Sequence, residues 1–190
     1  CTGCGLCVSE CPQDTIRLAF GRAWIDQRRC TSCYTCVEIC PQFVGRLSHS
    51  SSLLYLGDNA GEIVFDRAFI EEIENFRDID VTFVVRGSPI INDATYEDAR
   101  YVGMERVAKV VSNGTDYPGT IVRHCSREVQ GLFRSADLII AKGQGNYESI
   151  DGDKGNLFHL FKVKCPVVAG QLKVNVNNIV FMNRIGMESK

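Results

Sequence analysis

Eight of the ten cysteines lie in the first forty residues, in two copies of one spacing: Cys1, Cys4, Cys7 and Cys11-Pro12, then Cys30, Cys33, Cys36 and Cys40-Pro41. Thiolates at such intervals ligate iron. In a run of this kind the first three sulfurs wrap a cubane and the fourth crosses to the other cluster. Cys1, Cys4, Cys7 and Cys40 are therefore expected to hold one 4Fe–4S cluster, and Cys30, Cys33, Cys36 and Cys11 the second. Structural zinc takes four ligands, commonly as two C-x-x-C pairs. It accounts for neither the third cysteine at the same interval nor the proline that closes both copies. A disulfide framework would spread its cysteines along the chain, whereas Cys125 and Cys165 stand far from this cluster and lack the spacing of any site.

A second set of residues calls for oxygen and phosphate chemistry. The stretch "LLYLGDNAGEIVFDRAFIEEI" ends an apolar run in Asp58, Asn59, Gly61 and Glu62; "VVRGSPIINDATYEDA" places Asn92 and Asp93 ahead of a helix; "LIIAKGQGNYES" leaves an apolar run through Lys142, Gly143, Gly145 and Asn146. Carboxylate and amide oxygens suit a hard divalent cation. A lysine followed by glycines, whose backbone N–H groups can approach a ligand closely, suits a phosphate. Each residue also has a plainer use, because Asp and Asn are good helix N-caps and Gly a good turn residue. Recurrence at three places favours a metal-assisted phosphoryl site, and coincidental capping stands beside it.

Elements must hold these residues. From residue 53 onward, apolar runs at Leu53–Leu56, Val81–Val85, Val107–Val111, Leu138–Ala141, Val167–Ala169 and Ile179–Met182 read as strands. Segments near Glu62–Phe76, Thr95–Gly103, Ser126–Ser135 and Leu157–Phe161 read as helices. The alternation predicts an α/β fold: an open, mostly parallel sheet with flanking helices, whose ligands gather at the carboxyl ends of the strands. It is preceded by a small α+β iron–sulfur module. Residues 1–42 are expected to form that module, 53–190 the α/β domain, and "FVGRLSHSSS" at 43–52, polar and without period, the linker between them.

The doubled cysteine run resembles the bacterial-type two-cluster ferredoxin family over Cys1 to Gln42, and "TIRLAFGRAWIDQRRC" reads as that family's two short strands around a turn at Gly21. The family's first strand, just before its first Cys, is not in this sequence. "GDNAGE", "RGSPIINDAT" and "AKGQGNYES", in that order, resemble the ARMT-like metal-binding domain of the damage-control phosphatases. This resemblance implies a phosphatase that uses a divalent cation (Mn, Mg, Co or Ni) to hydrolyse small phosphomonoesters such as sugar phosphates or damaged metabolites. It implies Asp58, Asn59 and Asp93 as metal ligands and Lys142 as the phosphate contact; Asn92, Gly143, Asn146 and Glu62 belong to the same motifs. Members of that family usually carry a helical subdomain ahead of the first motif, where this chain has its cysteine-rich segment.

The balance of the sequence excludes several classes. A formal charge of -2 without a Lys/Arg-rich stretch argues against a nucleic-acid groove, and no apolar run reaches the ~18 residues of a membrane span. Oxygen-labile clusters point to a cytoplasmic setting. Cys125 and Cys165 are expected as buried thiols; His124 beside Cys125 cannot share its helix face; His159 in "LFHLF" is expected in the core and His49 in solvent. "IDGDKGN" lacks the later acid of a calcium loop and reads as a solvated turn, and residues 117–120 as a turn near the pocket rim. The reading is thus a phosphatase fused to a ferredoxin module, with a phosphorylated metabolite and a redox protein as partners. The alternatives are an electron-transfer protein whose α/β domain only binds a phosphorylated ligand, or a truncated or mis-assembled fusion without activity.

Overall fold

The computed structural model describes residues 6–19, 22–26, 29–31, 36, 40–150 and 155–183. Cys1, Cys4, Cys33, the Gly21 turn and residues 151–154 of the "IDGDKGN" segment lie outside the described residues. In chain order the elements are α1 (Leu6–Ser9), β1 (Ile16–Ala19), β2 (Arg22–Ile25), α2 (Pro41–Leu47), β3 (Ser52–Leu56), α3 (Ile63–Phe76), β4 (Asp80–Val85), α4 (Tyr96–Tyr101) and β5 (Lys109–Ser112). They continue with α5 (Arg127–Ser135), β6 (Leu138–Lys142), α6 (Gly143–Ser149), β7 (Leu157–Lys162), α7 (Pro166–Leu172) and β8 (Ile179–Asn183).

The strands form one sheet in the order β1-β2-β8-β7-β6-β3-β4-β5. The five from β7 to β5 run parallel, as expected for apolar strands alternating with helices. β3 and β6 are central: Leu53 to Leu56 and Leu138 to Lys142 are buried on both faces, the signature of a strand covered on each side. The pleat divides the core in two. Leu53, Tyr55, Val81, Phe83, Leu138 and Ile140 face α3 and α2, while Leu54, Leu56, Val84, Ile139 and Ala141 face Val129 and Phe133 of α5. Each of the large side chains among them contributes about 1.5–3 kcal/mol relative to exposure.

The structure corrects three sequence expectations. Leu157–Phe161 is a strand rather than a helix: β7 is buried along almost its whole length between β6 and β8, and Phe158 stacks on Phe181 of the neighbouring strand β8. Val167–Ala169 is helical rather than extended. Pro166 occupies the first turn of α7 and Cys165 Sγ accepts the Val168 N–H at 3.4 Å, so a proline suited to the first helical position overrides the β-branched pair. Finally, the segment expected as a linker contains most of helix α2, with Pro41 in its first turn. Phe43 and Leu47 are buried one turn apart, and Phe43 meets Phe69, Phe158 and Phe181 with ring centroids 6.3, 5.5 and 5.3 Å away. The β1–β2 hairpin is equally attached, because Ile25 of β2 pairs with Ile179 of the antiparallel strand β8.

Candidate active site

Strand order builds a crevice. From β3 the chain moves outward to β4 and β5, then returns to lay β6 on the other side of β3. The loops leaving β3 and β6 diverge at that reversal, which is where open α/β sheets bind ligands. Asp58 follows the first of these strands and Lys142 ends the second, so they meet across the crevice. Gly143 has a φ of 81°, and a Cβ there would collide with the Asp58 carboxylate. Glycine is therefore required twice over, for its backbone conformation and for the space Asp58 fills.

The loop after β4 is tied into the same place. Asn59 and Asp93 form an isolated antiparallel bridge, Ala60 N–H donates to the Asn92 carbonyl at 2.8 Å, and Ala94 N–H donates to the Asp58 carbonyl at 2.7 Å. The Asn92 side chain itself is exposed. None of the expected ligands spends its side chain on a helix cap. Helix α3 begins after Glu62 without a side-chain cap. Helix α4 begins after Thr95, whose N–H donates to Asp98 at 2.8 Å in a capping box. Helix capping therefore does not account for Asp58, Asn59 and Asp93, and of the three Asp58 lines the cavity.

Their charges are crowded. Burial pushes the Asp58 carboxyl up to about 6, and the neighbouring Asp93 and Glu62 add to the rise, against the opposing pull of Lys164 and Arg86. Asn59 Nδ2 bridges Asp58 Oδ2 at 2.9 Å and Glu62 Oε1 at 3.1 Å. Asp93 accepts Arg86 Nε at 2.6 Å, and Arg86 continues to Thr120 Oγ1 at 3.1 Å and Asn146 Oδ1 at 3.4 Å. Thr120 Oγ1 donates to Asn146 Oδ1 at 2.7 Å, and Asn146 Nδ2 donates to the Lys142 carbonyl at 2.7 Å. Asn146, with no exposed surface, therefore ties the end of β6 to the Arg86 network.

Lys142 is placed differently from the sequence expectation of an ammonium awaiting phosphate. Its Nζ donates to Asp66 Oδ1 at 2.5 Å and to Glu62 Oε2 at 3.3 Å, and Tyr55 Oη donates to the same Asp66 oxygen at 2.8 Å. Burial pushes the Asp66 carboxyl up, and Lys142 pulls it back.

A cavity of about 290 Å³ opens here, its lining including Asp58, Glu62, Lys142 and Gly143 and, at and just past the end of β7, Lys162 and Lys164. Sequence reasoning missed Arg86, Asp66, Thr120 and Lys164. Arg86 leaves β4 just as Lys142 leaves β6, and Asp66 stands one turn after Glu62, so both carried a positional signal. Thr120, expected only near the rim, is buried inside the network. Among the described residues no three His, Cys, Asp or Glu side chains gather closely enough to hold a single ion. The proposed oxygen set contains only two such residues beside Asn59, and its charge excess at Asp58 fits a divalent cation. Elsewhere, His159 packs in the core edge-on to Tyr147 at 5.3 Å, Cys125 is buried, and His124 is exposed, so no Cys–His nucleophile exists there. No helix among the described residues is long and apolar enough to cross a membrane.

Comparison with known proteins places these features. Residues 31–180 match the damage-control phosphatase ARMT1-like domain, and residues 1–44 match the 4Fe-4S dicluster domain. The chain is 42% identical over 137 residues to damage-control phosphatase PH1575 of Pyrococcus horikoshii, covering 72% of this chain and 48% of that protein. It is 42% identical over 133 residues to a damage-control phosphatase of Archaeoglobus fulgidus, covering 69% and 46%, and 46% identical over 136 residues to the uncharacterized protein MJ0202 of Methanocaldococcus jannaschii, covering 70% and 44%. The crystal structure of the DUF89 family protein from P. horikoshii matches with a TM-score of 0.73 at 39% identity, over 76% of this chain and 51% of that one. The chain spans about half the length of the curated relatives it matches.

Proposed function

This chain belongs to the damage-control phosphatase ARMT1-like domain family, and from that membership and the crevice geometry we propose that it hydrolyses small phosphomonoesters with the help of a divalent cation. The observation that carries the reading is the convergence of three strand ends on one crevice, with Asp58, Asn59 and Asp93 all excused from capping. These three would hold the cation, and when bound it supplies the positive charge that polarises phosphoryl oxygens.

The chain's own groups do the rest. Arg86 fixes the orientation of Asp93 through a buried 2.6 Å ion pair. Lys164, close enough to lower the proton affinity of Asp58, offers an ammonium to the phosphate. Lys142, expected as the phosphate contact, lines the same cavity while holding Glu62 and Asp66. Glu62 is half exposed on the cavity wall and can exchange Lys142 for a ligand. Asn146 keeps the Lys142 carbonyl and the Arg86 fork in register, and Gly143 leaves space for the Asp58 carboxylate.

The test is phosphate release from a panel of sugar and cofactor phosphates by anaerobically purified protein, with Mn²⁺ or Mg²⁺ and with the cation chelated. Cation-dependent turnover that Asp58→Asn and Asp93→Asn abolish is the expected result. Binding of inorganic phosphate without turnover of any ester would overturn it in favour of an electron-transfer protein whose α/β domain only binds.

A further inference from the structure

The cavity has a second side. Besides Asp58 and Lys142 it is lined by Cys11, Cys30 and Cys36, three of the four cysteines that the spacing assigns to a single 4Fe–4S cluster, together with Gln13 and Thr31. These cysteines fit such a group. Cys11 Sγ lies 3.2 Å from Thr15 Oγ1 and accepts the Thr15 N–H at 3.4 Å, the hydrogen bonding that a cluster sulfur uses. The wall is also anchored to the phosphatase side. Cys36 and Cys40 pack against the core that contains Phe43 and Phe158, and the β1–β2 hairpin joins the sheet beside β8.

We propose that the iron–sulfur segment forms a wall of the phosphatase pocket: residues 11–16 and 30–31, fixed by the cluster to which Cys11, Cys30 and Cys36 belong, share the cavity with Asp58, and Gln13 and Thr31 contact the organic part of the ester. The proposal rests on the phosphatase reading. A phosphate held near Asp58 and Lys164 brings its alcohol portion into the same cavity, whose remaining lining includes this segment. The space, near the lower bound of the ~300–1,000 Å³ typical of ligand sites and shared with the cluster, suits a small ester. In this chain the cysteine-rich segment thus covers the pocket and selects the substrate.

Two measurements test it on anaerobically reconstituted full-length protein. The first is the rate at which a ferrous chelator strips iron, followed by loss of visible absorption, with and without Mn²⁺ plus inorganic phosphate. A filled pocket should slow stripping by about threefold or more, and Asp58→Asn should abolish that slowing while leaving iron content intact. The second is steady-state kinetics of Gln13→Ala and Thr31→Ala. KM for glucose 6-phosphate should rise about fivefold more than KM for glycerol 3-phosphate, with kcat nearly constant. Stripping rates indifferent to phosphate, in protein that binds phosphate by calorimetry and turns over, would overturn the wall and leave the phosphatase standing. Parallel KM changes for both esters would overturn the contact roles of Gln13 and Thr31. No phosphate binding and no turnover would overturn both readings.

Discussion

The two sides of the cavity solve the problem of placing reactive groups in opposite ways. On the sheet side the buried cations are held by other side chains, Arg86 by Asp93 and Lys142 by Asp66 and Glu62, and Asn146 ties two segments together. On the cysteine side, Cys11 takes hydrogen bonds from the Thr15 hydroxyl and from the backbone of its own loop, and the geometry of the set depends on a cofactor. A network that satisfies itself can be preformed; a ligand set completes itself only when its metal arrives. One half of the pocket is therefore rigid before anything binds, and the other is conditional.

The difference can be broken most strongly where the halves join. Phe43, a ring that follows Cys40 by three residues yet lies 1% exposed among Phe69, Phe158 and Phe181, should cost about 3–5 kcal/mol when cut to alanine. If chemical denaturation shows the loss in the whole α/β transition, the halves fold as one unit. A loss confined to iron content would mean that they fold separately.

Next comes the buried pair on the rigid side. Lys142→Met leaves Asp66, 1% exposed and with its Oδ2 already lacking a hydrogen-bond partner, without its counter-charge. Breaking such a pair costs about 3–5 kcal/mol at neutral pH. Adding Asp66→Leu should restore most of the stability and none of the activity. If the single variant denatures like the wild type and keeps its kcat, Lys142 is neither a structural nor a catalytic cation.

How far the sequence carried this picture depended on whether the signal was local. Cysteine spacing, the doubly buried runs of β3 and β6, and the polar residues at three strand ends could be read directly, because ligand geometry and strand burial each leave a short-range pattern. Arg86 and Asp66 carried only a positional signal, and Thr120 carried none beyond its turn. Their importance comes from partners 7 to 76 residues away, and the distant ones are brought together only by the strand order. Helix α2 was lost because Phe43 and Leu47 make only one i, i+4 pair beside a serine run, and the proline that starts it had already been explained by the cysteine motif. The exchange of β7 and α7 has the same origin: in runs of three to five apolar residues, burial on both faces or a proline at the first turn decides, and periodicity cannot.

Asp58 sharpens the comparison with a smaller effect of opposite sign. Its carboxyl titrates near 6 instead of 3.8, so the folded protein binds a proton more tightly than the unfolded chain does. That contribution is fully present below pH ~4 and is lost as pH rises through 6, leaving the metal-free protein less stable at neutral pH by about 3 kcal/mol at most. Asp58→Asn should therefore raise the neutral-pH melting temperature of metal-free protein, with a gain that grows between pH 4 and 6 and is flat above. Mn²⁺ should stabilise the wild type and not the variant. A variant less stable than wild type at pH 7.5 without metal would show that Asp58 is compensated rather than crowded.

The smallest effect probes the conditional side. Burial opposes ionisation of the Cys11 thiol, yet hydrogen bonds from the Thr15 hydroxyl and from the backbone of Thr15, Gln13 and Ile16 together hold it below its ordinary value. Thr15 is 3% exposed, so Thr15→Val keeps the shape and removes only the hydroxyl, a change of about 0.5–1.5 kcal/mol. In iron-free protein the pH midpoint for alkylation of Cys11, followed on its own peptide by mass spectrometry, should move upward while that of Cys125 stays in place. The backbone donors survive the substitution, so the shift should be partial. Equal midpoints in the two proteins would mean that the loop around Cys11 takes its form only with iron bound. The contrast between a preformed and a conditional wall would then be sharper than the hydrogen bonds of Cys11 imply, and the cluster alone would decide whether the pocket is closed.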